Sequence, residues 1–337
     1  MVRREEERPV RKIRWGILGT AKIAEGALIP ALHQAEGAEL TAVASRRPET
    51  AMAYAERNRI ERAYGSYEEL LADADIDAVY IPLPNHLHAE WTVRAAEAGK
   101  HVLCEKPAAL NRAQAERMVQ VCRDNGVVFM EAFMYGFHPQ WARVRELVEQ
   151  GALGKLRLIN ASFSFWLRNE QDIRWYPEGG GALYDVGCYC VHVIRSFAGD
   201  ALPEVVQAVG DLDKRGVDRA VTAALAFPGG VLAHFDASFA AADRQRVELA
   251  GEAGSLVVTW PFRPDKGDPS IIWRNQDGER VERVPKVDMY RLEVEHFSAC
   301  IRGEETLRQT PEQTLRNMAI LDAIYQAVGR DTTAHGR

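Results

Sequence analysis

Lysine is scarce in this chain: eight lysines stand against thirty-four arginines among 337 residues. Where only positive charge is needed the sequence uses arginine, so a lysine at a special position suggests a need for a compact, titratable amine. Positive charge is also outweighed as a whole. The formal net charge is −6 and the pI is about 5.9. That balance argues against a nucleic-acid binder with a basic stripe, although a local arginine pocket could still hold a small anion. No apolar run approaches the roughly 18 residues needed to span a membrane. The start, Met1–Arg8, carries charges with no apolar segment behind them, and reads as a frayed leader rather than a secretory signal. Cysteines number five, Cys104, Cys122, Cys188, Cys190 and Cys300. An odd count without a pairing scheme points to reduced thiols and a cytoplasmic location. Cys188 and Cys190 are spaced too closely for the usual zinc pair, and His86 and His88 have no supporting ligands, so no metal site is expected.

What the chain does have is a rhythm. Short apolar runs at Ile13–Leu18, Leu40–Ala44, Ala78–Ile81, His101–Cys104 and Val127–Met130 alternate with helical stretches. The helices expected are Ala21–Ala35, Pro48–Arg57, Tyr67–Ala72, His86–Ala98 and Asn111–Asp124, with Ser66 as one N-cap. Repeated βα units of this length predict a doubly wound parallel sheet. Beyond about Phe137 the rhythm changes. A helix over Pro139–Gln150 and a long strand over Leu156–Phe165 precede a glycine run, Gly179–Gly181, and a helix from about Ala182 to Phe197. Strand-like segments at Val205–Val209, Ala220–Phe227, Val231–Phe239, Gln245–Leu249 and Leu256–Trp260 then follow without a comparable helix, which predicts a mostly antiparallel sheet. Helices over Met289–Ile301 and Pro311–Val328 close the chain, and Gly329–Arg337 reads as a disordered tail. The division expected is 12–136 for a nucleotide-binding domain and 137–330 for a second α+β domain with a large open sheet, its last helix able to pack back on the first.

The first strand runs into Gly19-Thr20-Ala21-Lys22-Ile23-Ala24, a strand-to-helix turn in the context that a dinucleotide fingerprint requires. Gly19 permits the tight turn. Ala21 stands where the usual pattern has a second glycine that lets backbone approach a pyrophosphate, and Ala24 allows close helix–strand packing. A helix N-terminus there offers amide N–H groups to phosphate. The second strand ends Ala44-Ser45-Arg46-Arg47 and carries no carboxylate to bind adenosine ribose hydroxyls. A hydroxyl and two guanidinium groups suit a ribose 2′-phosphate instead, which favours NADP over NAD.

Two further clusters carry chemistry. Glu105-Lys106-Pro107 sits at the carboxyl end of a strand, where ligands bind in open parallel sheets, and Pro107 restricts the residues before it toward extended geometry. Asp185, Tyr189 and His192 fall near one stripe of the helix from Ala182. Hydride transfer between an alcohol and a carbonyl needs an acid/base partner for the oxygen, and a tyrosine whose pKa is lowered by a nearby lysine is one solution. The bland alternatives are a solvated strand-end lysine and a buried core tyrosine with a satisfied hydroxyl.

Taken together, the glycine turn, Glu105-Lys106-Pro107 and Asp185-Val186-Gly187-Cys188-Tyr189 resemble the glucose–fructose oxidoreductase/inositol dehydrogenase (Gfo/Idh/MocA) family. The resemblance covers about 13–328. Pro82-Leu83-Pro84-Asn85-His86-Leu87-His88, Glu131-Ala132-Phe133-Met134-Tyr135 and Gly179–Gly181 share it. The pattern is most similar to the branch holding glucose–fructose oxidoreductase, dimeric dihydrodiol dehydrogenase and NADP-dependent xylose dehydrogenase.

That resemblance implies a Rossmann domain followed by an α+β domain. It implies that Lys106 polarises the substrate oxygen, that Asp185 positions substrate hydroxyls and that Tyr189 is the acid/base. His192 is expected as a substrate contact or a residue behind it, and Arg174 as a contributor from a loop. Gly19, Thr20, Ala21, Lys22, Ile23, Ser45, Arg46, Arg47, Pro82, Leu83, Asn85, His88, Glu105 and Lys106 would border the cofactor. The activity expected is NADP-dependent oxidation of a sugar or polyol, foremost an aldose at its first carbon. Keto-sugar reduction, inositol oxidation and dihydrodiol oxidation are the alternatives. A reading of another class is a non-catalytic NADP(H)-binding sensor. Apolar residues around Val231–Phe239 suggest a homodimer or homotetramer formed through the second sheet.

Overall fold

A computed structural model describes residues 11–330. The first sheet has the all-parallel order β3-β2-β1-β4-β5-β6. Its strands are β1 (Ile13–Leu18), β2 (Ala38–Ala44), β3 (Arg62–Tyr64), β4 (Ala78–Ile81), β5 (His101–Glu105) and β6 (Phe129–Ala132). Near-continuous apolar sequence in β1, β4 and β5 follows from burial on both faces. The intervening helices are α1 (Ile29–Gln34), α2 (Pro48–Asn58), α3 (Tyr67–Ala72), α4 (His88–Glu97) and α5 (Arg112–Asp124). Ser66 caps α3 as expected, its Oγ accepting the Glu69 N–H at 3.1 Å.

Two departures from the sequence expectation have physical reasons. Strand β3 went unrecognised because it is three residues long, half-exposed and carries Arg62. The helix expected over Ala21–Ala35 contains a π turn at Ala24–Leu28 before α1, with the Ile29 N–H bonded to the Ala24 carbonyl. Pro30 lacks an N–H and cannot continue regular α bonding at that point.

After α6 (Pro139–Glu149) the chain builds an eight-stranded sheet of order β14-β13-β12-β11-β7-β10-β9-β8. Its members are β7 (Leu156–Ser164), β8 (Val205–Leu212), β9 (Asp218–Phe227), β10 (Val231–Ser238), β11 (Arg244–Gly251), β12 (Gly254–Thr259), β13 (Ser270–Asn275) and β14 (Gly278–Arg283). All pairs are antiparallel except β7 with β10. The β13–β14 hairpin escaped sequence recognition because β14 is polar and exposed throughout. One face of this sheet packs against α7 (Cys188–Ala198) and the π turn before it. The opposite face leaves Leu158, Val205, Val209, Leu232 and Val281 exposed.

The last helices, α8 (Met289–Ile301) and α9 (Pro311–Ala327), return to the first sheet. The Trp15 indole of β1, fully buried, lies 5.5 Å from the Phe297 ring and donates to Ser298 Oγ. Arg123 of α5 pairs with Glu312 of α9 at 3.0 Å. Gly329 and Arg330, placed by the sequence reading in a disordered tail, are instead described, and Arg330 is held in place. Arg330 donates to Asp218 Oδ1 at 2.7 Å and to the Gly180 carbonyl at 3.0 Å. The leader Met1–Arg8 and residues 331–337 lie outside the described residues. No helix among the described residues is long and apolar enough to cross a membrane.

Candidate active site

The carboxyl ends of β1 and β2 lie side by side, with Leu18 opposite Ala44 and the Gly19 N–H donated to the Ala44 carbonyl at 2.8 Å. Gly19 has φ +102°, a region that favours glycine. A Cβ there would stand 2.9 Å from Leu83 Cδ2, so Leu83 closes against the turn. Thr20, Ala21, Lys22 and Ile23 are half-buried or exposed at the start of the following helix, and Ala24 is fully buried against the sheet. Beside them Ser45 is buried, with Oγ turned to the Arg47 N–H, and Arg46 and Arg47 are exposed. An open cradle of backbone next to a hydroxyl and two guanidinium groups fits a pyrophosphate and a ribose phosphate.

At the neighbouring strand ends, the segments from Pro82 and from Lys106 are held by one residue. His88 is fully buried, its Nε2 2.7 Å from the Leu83 carbonyl and its Nδ1 2.8 Å from the Pro107 carbonyl. The structure therefore corrects the expectation that His88 borders the cofactor: it stands behind the lining, packed between the two segments that form it, and as a neutral ring donates to one of the two carbonyls. Glu105 likewise turns inward and accepts the Tyr80 hydroxyl at 2.6 Å. Burial raises its pKa, against the pull of Lys106. The Lys106–Pro107 peptide bond is cis.

The second sheet delivers its residues through the glycine run. A Cβ on Gly180 would overlap the Arg174 and Tyr176 carbonyl oxygens at 2.3 and 2.5 Å, so only glycine lets the Arg174 loop fold down at this point. The Asn85 amide donates to the Gly179 carbonyl at 2.7 Å and ties that loop to the first sheet. Asp218, at the start of β9 and fully buried, accepts the Leu183 N–H at 2.6 Å and anchors the next helix. That helix opens with a π turn, Leu183–Gly187, before α7. The widened turn alters the regular spacing assumed from sequence and presents both the carboxylate and the carbonyl of Asp185 to one neighbour.

The neighbour is Lys106. Its Nζ donates to the Asp185 carbonyl at 2.8 Å and to Asp185 Oδ1 at 3.0 Å, while Arg174 Nε donates to Asp185 Oδ2 at 2.7 Å. Lys106 Nζ also stands 4.9 Å from the centre of the Tyr189 ring. The Lys106 and Asp185 side chains are 12% and 17% exposed, so a small molecule can reach them. Burial opposes the Lys106 ammonium, yet the Asp185 carboxylate outweighs it and the pKa is raised. Burial opposes the Asp185 carboxylate as well, and Lys106 and Arg174 outweigh it, so its pKa is lowered. The pair is ionised.

Tyr189 differs from the sequence expectation. It is 5% exposed, its hydroxyl points to Met134 Sδ at 3.6 Å, and its ring packs edge-on to Phe133. Burial pushes the phenol well above its ordinary value, with Tyr290, Glu105, Cys188 and Asp185 adding to the rise. The lowering expected from Lys106 is overridden, and the group stays protonated. His192 does not join the cluster. It stacks on Phe133, bonds the Tyr135 hydroxyl through Nδ1 and Gln309 Oε1 through Nε2 at 2.6 Å, and is kept neutral by burial. With both ring nitrogens engaged, it has none free for a substrate. Tyr80, Met134 and Tyr290 went unnoticed in the sequence; Met134 alone stood within a segment already singled out.

Comparison with known proteins gives concordant results. Residues 13–133 match the model of an oxidoreductase family with an NAD-binding Rossmann fold, and 141–257 match the GFO/IDH/MocA C-terminal domain. An NADP(+)-dependent D-xylose 1-dehydrogenase of Haloferax volcanii is 41% identical, over 93% of this chain and 96% of the relative. A trans-1,2-dihydrobenzene-1,2-diol dehydrogenase of Mus musculus is 31% identical, over 93% and 95%. A 3-ketoreductase from Actinomadura kijaniata, solved in complex with NADP and TDP-benzene, superposes with a TM-score of 0.87 at 36% identity, covering 94% of this chain and 98% of that one.

His88 makes the fold sensitive to acid. Burial pulls its pKa from 6.5 down to about 4, against the two carbonyls that favour the charged ring. Between those values the unfolded chain binds a proton that the folded chain does not, so the stabilisation is complete above about pH 6.5 and is lost as pH falls toward 4. His88→Gln keeps an amide donor but cannot titrate. Its stability should decline less steeply over this window, by up to about 1.4 kcal/mol per pH unit. Urea unfolding at pH 7, 5.5 and 4.5 checks this; equal slopes in both proteins would refute it.

Proposed function

Because the chain belongs to the Gfo/Idh/MocA family of oxidoreductases, we propose that it transfers a hydride between NADP(H) and a sugar or polyol, with Lys106, Asp185 and Tyr189 managing the substrate oxygen. The observation that carries this reading is the placement of the Lys106 ammonium on the backbone carbonyl and Oδ1 of Asp185 and 4.9 Å from the Tyr189 ring centre. We take 12–136 as the nucleotide-binding domain and 137–330 as the substrate domain.

The residues suited to hold NADP(H) are those of the Gly19–Ile23 turn, Ser45, Arg46, Arg47 and the Pro82–Asn85 segment, with His88 and Glu105 behind them. When bound, the nicotinamide supplies or takes the hydride. Lys106 polarises the substrate oxygen and stabilises the charge that gathers on it. Asp185 keeps the lysine charged and, with Arg174, offers partners to adjacent hydroxyls. Tyr189, protonated, gives its proton to the oxygen when a carbonyl is reduced. In the oxidative direction the same phenol must lose that proton, so oxidation is favoured by alkaline pH.

An aldose oxidised at its first carbon remains the leading substrate, in keeping with the xylose dehydrogenase relative. The buried, protonated phenol favours a second reading, reduction of a keto-sugar, in keeping with the 3-ketoreductase and the dTDP-sugar 3-reductase relatives. A sensor that binds NADP(H) without turnover would not need the complete Lys–Asp–Tyr set. The five unpaired cysteines suit a reducing, cytoplasmic setting. The exposed apolar residues of the second sheet suit a homodimer or homotetramer.

Lys106→Met should lower turnover by several orders of magnitude with NADPH affinity retained, and Tyr189→Phe by about 10²–10⁴. Nicotinamide absorbance with a panel of aldoses, inositols, dihydrodiols and keto-sugars reads both. Near-normal rates in Lys106→Met refute its role, and silence of the parent protein across the panel despite tight NADPH binding supports the sensor. Exchanging Arg46 and Arg47 for alanine should raise the KM for NADP about 10–100-fold per lost charge-assisted contact and leave that for NAD nearly unchanged; equal effects on both cofactors would remove the 2′-phosphate assignment. Light scattering at micromolar concentration should give two or four chains, and a single-chain mass would contradict the sheet-mediated assembly.

A further inference from the structure

A buried carboxyl that the proposed chemistry does not use stands directly behind Lys106. Glu131 lies on β6, opposite Cys104 of β5, and is 1% exposed. Its Oε1 accepts the Ala108 N–H at 3.0 Å, two residues past Lys106. Its other oxygen is buried without a hydrogen-bond partner among the described residues, as are the Thr314 hydroxyl and the Asn317 amide nitrogen of α9, although both residues lie close enough to favour the ionised form. Asn317 uses its Oδ1 to accept from Arg195 Nε at 2.8 Å. Arg195 belongs to α7, the helix that carries Tyr189, and is 3% exposed. Glu131 therefore stands where the Lys106 segment, α9 and α7 meet.

A carboxyl at such a place is costly unless it holds something. Burial pushes it up to about 7, against the Ala108 amide, Thr314, Asn317 and the more distant Arg195. An apolar side chain would fill β6 more cheaply but would leave the Ala108 N–H buried without a partner. The other buried polar contacts on this segment are to carbonyls: His88 at Pro107, and the Tyr184 hydroxyl at Leu110. Glu131 alone among these holds an N–H there.

We propose that Glu131 is a positioning residue for hydride transfer: it fixes the Ala108 amide and so holds the Lys106 ammonium in the register that brings it to Asp185 and Tyr189. The inference rests on the role given above to Lys106. Displacement of a reacting group by about 1 Å can cost 10²-fold in rate, so the link acts on kcat rather than on cofactor affinity. Glutamine preserves an acceptor for the Ala108 N–H and replaces a carboxyl that is partly protonated near neutral pH. Leucine preserves volume and removes the acceptor.

The test uses the full-length protein with NADP⁺ and the most active substrate of the panel. Glu131→Leu should lower kcat at least tenfold, leave NADPH affinity within about twofold, and speed hydrogen exchange at the Ala108 amide. Glu131→Gln should recover kcat to within about threefold of the parent protein. A parental kcat and unaltered exchange in Glu131→Leu overturn the inference, as does a Gln variant as slow as Leu. Should Glu131→Leu fail to fold, Glu131→Gln carries the test through the Ala108 amide: exchange there should stay slow with kcat within about threefold, and fast exchange at a parental kcat overturns the inference. Lys106→Met is measured alongside. Loss of turnover there with a fully active Glu131→Leu overturns this inference alone, whereas normal turnover in Lys106→Met removes the Lys106 role and the inference together.

Discussion

The site depends on one carboxylate meeting two cations. Asp185 receives Lys106 from the end of a strand in the first sheet and Arg174 from a loop beside the second, each within 3.0 Å. Neither the ammonium nor the carboxylate could stay charged alone at this depth, because burial works against both. Their mutual attraction keeps them ionised, and it joins two halves of the chain that lie far apart in sequence. Removing either partner leaves the other uncompensated.

The surrounding backbone is shaped to make that meeting possible. Gly180 lets the Arg174 loop come down, Asn85 ties the loop across, and Asp218 holds the first turn of the helix at Leu183. Asp218 is itself held by Arg330 and by the Tyr325 hydroxyl. The end of the described chain therefore supports the helix that carries Asp185 and Tyr189, although it lies far from both in sequence.

Much of this was legible in the residues themselves. Local signals sufficed wherever a feature is local: the parallel βα alternation, the Ser66 cap, the glycine turn, and Lys106 at a strand end. Signals failed where the deciding contact is distant. Strands β3 and β14 are short or polar, and their pairing comes from neighbours rather than from their own pattern. The π turn at Leu183–Gly187 follows no obvious local rule, and it changes how Asp185 is presented. The acidity of Tyr189 went the other way because burial, which no spacing reveals, exceeds the influence of one lysine. His88 and His192 look like site residues from their neighbours in sequence, yet each spends both ring nitrogens on the scaffold. Glu131 stood within a recognised segment, but its meaning lies in the distant Ala108 amide.

The return of α8 and α9 to the first sheet has a bearing on how the molecule is made. Trp15 belongs to β1, yet its indole is sealed by Phe297 and Ser298, which are translated long after the six parallel strands. All six parallel strands have been translated by Ala132, but the nascent nucleotide unit keeps an unsealed aromatic flank until the last two helices arrive. Vectorial folding of this chain thus has a late closing step that depends on α8 and α9, and a polypeptide stalled before them would present that flank to chaperones or to other nascent chains.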